Sequence, residues 1–185
     1  VLTVIITRNL DNAIRIFNVL NDRGMPLSPI DILKSSLMTK LSKEDRRAFK
    51  MKWKIINQRV EATELFDIED MLNTYLYYKL GSNPSARVDK ELLTIFIKEN
   101  LDPLMAISEI DKFSKAYLEA IDAEDKYVYL LRYLQHRIYW HSILSTAIFL
   151  GYSEIPELKK ILVAYYYQNW IAGATVARIK QTSYN

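Results

Sequence analysis

Apolar positions recur with a helical period along nearly the whole chain. Leu10, Ala13, Ile14, Phe17 and Leu20 fall on one helical stripe, and Gly24 supplies a stop after it. Beyond Met25-Pro26-Leu27, Ser28 suits an N-cap, Pro29 the first helical position and Asp31 the acid of a capping box. Ile30, Leu33, Leu37 and Leu41 carry the buried face of this second helix. Ser42 caps the next helix, whose stripe is Phe49, Trp53, Ile56 and Val60. The same periodicity predicts helices over about 67–80, 88–100, 104–121, 124–150 with an internal break, and 155–171.

Val1 to Thr7 is a β-branched run and predicts the only strand. A lone strand needs a sheet, so this start is expected to continue a mixed α/β domain whose other strands precede it. Gly81-Ser82-Asn83-Pro84-Ser85 is the clearest loop and the expected hinge, with weaker punctuation at Asp102-Pro103, Gly151-Tyr152-Ser153 and Gly173. The loop spacings and aromatic positions do not recur, which argues against a solenoid. The expected fold is mostly α, a multi-helix bundle preceded by one short β-strand.

Composition narrows the function classes. The 185 residues are 50% hydrophobic and 25% charged, with only 4 glycines and 5 prolines, so a folded core is expected. A net charge of +3 decides nothing about partners, and any anionic partner has to be read from local clustering. The absence of cysteine excludes disulfides, thiolate metal sites and a cysteine nucleophile, and it fits a cytoplasmic setting. The opening residues lack a signal peptide's basic start and cleavage site. The most apolar run, Ile138 to Leu150, is interrupted by His141, Ser142, Ser145 and Thr146 and falls short of the roughly 20 residues of a bilayer span. It reads as a buried helix, and no membrane partner is expected.

Metal chemistry has little support. The two histidines, His136 and His141, lie about 140° apart on a helix and cannot form a ligand pair, so a surface or capping role is expected for each. No phosphate-cradling glycine loop, nucleophile elbow or paired-carboxylate site occurs. One charged face stands out: Lys43, Arg46, Arg47, Lys50 and Lys54 fall within about 100° of arc beside Phe49 and Trp53. Such a face could follow a phosphate backbone by counterion release. It could equally be a solvated face with snorkelling lysines, partly neutralised by Glu44 and Asp45. Tyr165-Tyr166-Tyr167 and Trp170 contain enough rings for a base-stacking platform, but consecutive helical residues diverge. Packing of the ring bodies, with hydroxyls at the rim, is expected instead.

The densest polar feature is Asn21-Asp22-Arg23-Gly24, continuing through Met25-Pro26-Leu27-Ser28 on a turn between two helices. Arg23 can fork onto a phosphate or a carboxylate. Alternatively, Asp22 and Arg23 pair with each other or with helix ends while Gly24 provides a positive φ.

From Asp11 to Lys34 the chain reads DNAIRIFNVLNDRGMPLSPIDILK. This resembles the FxxLNDRGxPLxxxDLLK signature of the GmrS-like proteins, the GmrSD-type modification-dependent restriction endonucleases. Phe17, Leu20, Asn21, Asp22, Arg23, Gly24, Pro26, Leu27, Asp31, Leu33 and Lys34 fall in place, and the stretch from Trp170 to Asn185 resembles the end of that family's helical region. The resemblance implies an NTP-dependent DNA endonuclease of bacterial phage defence. That family has a ParB-like domain bearing an Asp-Gly-Gln-Gln-Arg motif and an HNH-type nuclease, and neither motif occurs in this chain.

On this comparison residues 1–41 are the C-terminal end of a truncated ParB-like α/β domain and 42–185 a helical domain. The chain is then an internal, non-catalytic fragment linking the nucleotide-binding and nuclease domains. The resemblance places Asn21, Asp22, Arg23, Gly24, Asp31 and Lys34 near the nucleotide or DNA-sensing region. Arg23 faces phosphate in that reading, Asp31 and Lys34 orient or shield it, and Gly24 allows close backbone approach. Asp31 serves equally well as a simple cap. For the full-length protein the resemblance implies an NTP, a divalent metal ion and DNA, modified phage DNA among the candidates, and it leaves a homo-oligomer open. The competing expectation is a non-enzymatic helical protein-interaction module. A partition-type ParB-like DNA binder would need a helix-turn-helix, which the sequence lacks.

Overall fold

The computed structural model describes residues 27–122 and 124–173, together with Asn12 and Ile16, both helical. The expected strand at Val1 to Thr7, most of the Leu10 to Leu20 helix and the Asn21 to Gly24 turn lie outside the described residues, as does the stretch 174–185. The described chain is mostly α, with no strand. Its helices are α1 (Pro29–Thr39), α2 (Lys43–Glu61), α3 (Ile68–Leu80), α4 (Val88–Lys98), α5 (Pro103–Ala120), α6 (Lys126–Arg132), α7 (Arg137–Phe149) and α8 (Ile155–Ile171).

Local chemistry sets most of these boundaries. Ser28 Oγ accepts from the Asp31 N–H at 3.1 Å and donates to Asp31 Oδ2 at 2.9 Å. The acid therefore returns to the cap's hydroxyl rather than to its backbone. Ser42 and Asp45 repeat the arrangement at α2, at 3.2 and 2.7 Å. At α3, Asp67 and Asp70 form a complete capping box. That helix ends at Gly81, which adopts φ +61°, the left-handed conformation that glycine takes without steric penalty.

The expected break within 124–150 is real and sharp. Asp125 accepts from the Tyr127 and Val128 N–H groups to start α6, and the chain turns at His136, φ +63°, before α7. The helix expected over 88–100 stops at Lys98 because Asn100 turns left-handed at φ +50° and the Leu101 N–H returns to the Phe96 carbonyl at 2.8 Å.

Two buried clusters form. Ile30, Leu33, Leu37, Phe49, Ile56, Met71, Leu72, Leu92 and Ile110 fill the space among α1 to α5. Ala120, Val128, Leu131, Trp140, Leu144, Leu162 and Tyr166 fill the second, among α5 to α8. The close pairing of α5 with α7 joins them. At that junction Phe113, Phe149 and Tyr78 lie in mutual ring contact, with centroids 5.1 to 5.6 Å apart. Met38 and Leu41 sit in the same core as residues of α2 to α5, so α1 is packed against the bundle. In the 81–85 loop, Glu91 Oε1 accepts from the Ser85 N–H, the Ser85 hydroxyl and the Ala86 N–H at 2.7 to 3.0 Å.

Candidate functional site

The start of α1, the middle of α2 and the start of α3 enclose an open concavity of about 710 Å³. Asp31 and Lys34 line it from α1, Lys50, Trp53, Lys54 and Asn57 from α2, and Asp67 and Glu69 from α3. Trp53 is 4% exposed and stacks on Phe49 at 5.7 Å, which fixes its ring as the floor. Lys34 Nζ stands 5.8 Å from the centre of that ring. A cation over an indole face is held electrostatically while keeping its donors available to a ligand.

Charge in the concavity is of two kinds. Asp31 and Asp67 are committed to capping α1 and α3, where they complement the positive helix ends. Lys50 and Lys54 are exposed and Lys34 is half-buried, and none of the three has an ion pair among the described residues. Three lysines therefore line an aromatic-floored concavity that also holds three carboxylates, those of Asp31, Asp67 and Glu69.

The residues expected at a site divide accordingly. Asp31, Lys34, Lys50 and Lys54 come together, although 23 positions separate the first from the last. Lys43 and Arg47 are exposed outside the concavity. Arg46 is turned toward α1, where its Nε donates to the Met38 carbonyl at 2.8 Å and its Nη2 to the Thr39 carbonyl at 3.3 Å. It thereby satisfies carbonyls at the end of that helix. Asn21, Asp22, Arg23 and Gly24 lie outside the described residues. Trp53, Asn57, Asp67 and Glu69 were not anticipated at a site. Trp53 reads in the sequence only as part of a buried stripe, and the α3 residues are brought in by packing alone.

A second concavity, of about 540 Å³, opens between α3, α7 and α8. Tyr77, Tyr78, Ile143, Leu150, Tyr152 and Leu158 make it predominantly apolar. No local signal marked it, because its walls come from three separate helices.

The histidine expectation needs correction at His141. This residue is 3% exposed, between Phe66, Tyr117 and Trp140, with ring centroids 5.1, 5.8 and 4.1 Å away. Burial, followed by the nearby Arg137 and Arg132 charges, pushes its pKa down to about 3. It is a neutral core residue, because α7 is enclosed by α3, α5 and α8 and has little free surface. Elsewhere, Tyr75 donates to Glu109 at 2.9 Å, and Lys79 bridges Glu99 and Glu109 at 2.6 and 3.4 Å. Lys79 offsets one of the two carboxylate charges, and these contacts tie α3 to α5 and to the end of α4.

Among the described residues no cluster of His, Asp and Glu could hold a metal ion, and no helix is long and apolar enough to cross a membrane. Comparison with family models, curated proteins and solved structures gave no match to the chain.

Proposed function

We propose that the lysine-lined concavity receives a phosphodiester backbone, and that the chain is the non-catalytic middle of an NTP-dependent, modification-sensing DNA endonuclease of bacterial phage defence. The observation that carries this reading is the convergence of two independently selected residue sets. Asp31 and Lys34, from the stretch that resembles the restriction family, line the same concavity as Lys50 and Lys54 of the basic helix. Lysines of this kind act as point charges on phosphate, giving affinity without base readout. Trp53 holds Lys34 in place from below.

The nucleotide, the divalent ion and any homo-oligomer belong to the whole protein.

Titrating labelled duplex DNA at two salt concentrations tests the concavity. Changing Lys50 and Lys54 to Glu should weaken binding and reduce the slope of log affinity against log salt by about 2, roughly 0.9 for each phosphate no longer neutralised. An unchanged slope removes the concavity from DNA binding. In the intact protein, Arg23→Ala should depress nucleotide turnover or restriction, and the chain alone should show neither activity.

A second reading, a non-enzymatic protein-interaction module, is favoured by the apolar concavity between α3, α7 and α8. It predicts no salt-sensitive DNA binding and a protein partner whose association Leu150→Asp abolishes.

A further inference from the structure

The concavity between α3, α7 and α8 differs from the lysine-lined one in the chemistry of its walls. Its volume, about 540 Å³, lies within the range of small-molecule sites. The space exists because α7 presents small side chains there. Ser142 and Thr146, one turn apart, and Ala147 beside them recede between Tyr77 and Tyr78 of α3 and Leu158 of α8. The turn from α7 to α8 supplies the rim. There the Leu150 and Tyr152 N–H groups donate to the Thr146 and Ala147 carbonyls, each at 2.9 Å, with Gly151 at φ +72°. Tyr152 is thus carried on a hydrogen-bonded backbone.

None of the described residues that line this space is charged. The charges next to it along the chain are engaged by partners: Lys79 by Glu99 and Glu109, Lys159 by Asp125 at 2.8 Å, and Lys160 by Glu157 at 2.9 Å. The polar side-chain groups of the walls are all hydroxyls. Ser142 donates to the Tyr139 carbonyl at 2.9 Å, whereas the Thr146 and Tyr152 hydroxyls have no hydrogen-bond partner among the described residues. Burial raises the pKa of Tyr77 and Tyr78, so their phenols stay neutral.

We propose that this concavity binds an uncharged, largely apolar, ring-bearing small molecule, with an oxygen or nitrogen acceptor that takes the Thr146 or Tyr152 hydroxyl. An ionised ligand would lose hydration here without gaining a counter-charge, which disfavours phosphates, nucleotides and amino acids. A neutral ring system meets no such cost and covers the apolar surfaces of Tyr77, Ile143 and Leu158. A protein partner occupies the same space in the interaction-module reading, and the lysine-lined concavity plays no part in either.

The test uses the full chain and two fluorescent probes of one skeleton: phenylnaphthylamine, which is uncharged, and anilinonaphthalene sulfonate, which adds a fixed negative charge. The uncharged probe should bind once per chain with enhanced emission, and the sulfonate should bind at least about 10-fold more weakly. Ala147→Phe places a ring in the space and should abolish binding. Because an added ring can strain α7, Tyr152→Ala is the second variant. Its side chain is exposed at the rim, so the thermal midpoint should hold. Loss of that one aromatic contact should weaken the uncharged probe by about 2- to 10-fold. Lys50→Glu with Lys54→Glu should leave probe binding intact, which separates this site from the lysine-lined concavity. Absence of uncharged-probe binding, equal affinity for the two probes, or unchanged binding in both Ala147→Phe and Tyr152→Ala overturns the proposal. Self-association that Ala147→Phe abolishes, in a chain that does not bind the uncharged probe, would likewise overturn it and assign the space to a second copy.

Discussion

His141 is the residue whose environment departs most from its solution behaviour. Its imidazole is enclosed by Phe66, Tyr117 and Trp140, and protonating it there would place a charge near Arg132 and Arg137 in an apolar setting. In the unfolded chain the same group protonates near its ordinary value of 6.5, while in the folded state its pKa is about 3. Between these values the unfolded state binds a proton that the native state does not, so stability falls as pH falls through this window. The slope should approach about 1.4 kcal/mol per pH unit for one proton. Urea unfolding between pH 6.5 and pH 4.5 should show it, above the range where most carboxylates titrate. His141→Phe should flatten that slope, and an unflattened slope would assign the acid sensitivity to other groups.

Among the elements, α3 depends most visibly on its ends. It begins with the Asp67 and Asp70 capping box and stops at Gly81. Asp67→Ala removes the acceptor for the Asp70 N–H and should destabilise the protein by about 1 kcal/mol in thermal or urea unfolding. At Gly81 a Cβ would meet nothing within 4 Å, so Gly81→Ala isolates the backbone penalty of φ +61°. That penalty should be about 1–2 kcal/mol. Gly81→Asn should be milder, because asparagine tolerates the left-handed region, and a stabilising Gly81→Ala would show that the turn relaxes.

Cohesion of the whole molecule rests on the contact between its two buried clusters. Trp53 reports on the cluster of α1 to α5 and Trp140 on that of α5 to α8. Because α5 contributes to both and pairs closely with α7, variants retaining one of these tryptophans should unfold with coincident midpoints. Phe113 is fully buried at the junction, against Tyr75, Tyr78 and Phe149. Phe113→Ala should cost about 3–5 kcal/mol by reduced apolar burial and cavity formation. Separate midpoints in this variant alone would identify Phe113 as the link that makes the clusters fold together.

Helix positions were legible because their causes are local. A period of 3.6 in apolar residues, serine or aspartate at the starts and glycine at a stop act within a few residues of one another. Ser28, Ser42 and Gly81 accordingly stand at helix ends, and the helices expected at 67–80, 104–121 and 155–171 appear within one residue of those limits. Asp31, Lys34, Lys50 and Lys54 were also visible as candidates. Their common concavity was not, because it needs α1 and α2 to pack with α3, and no residue states its distant neighbours. Packing likewise buried His141, which looked like a surface or capping residue, and placed the hydroxyls of Tyr165 and Tyr166 inside rather than at the rim. It left Trp170 open at the end of α8, where ring packing alone had been expected. Sequence determined which segments are helices and which side of each is apolar. Tertiary structure decided which polar and aromatic groups meet, since that depends on contacts between residues far apart in the chain.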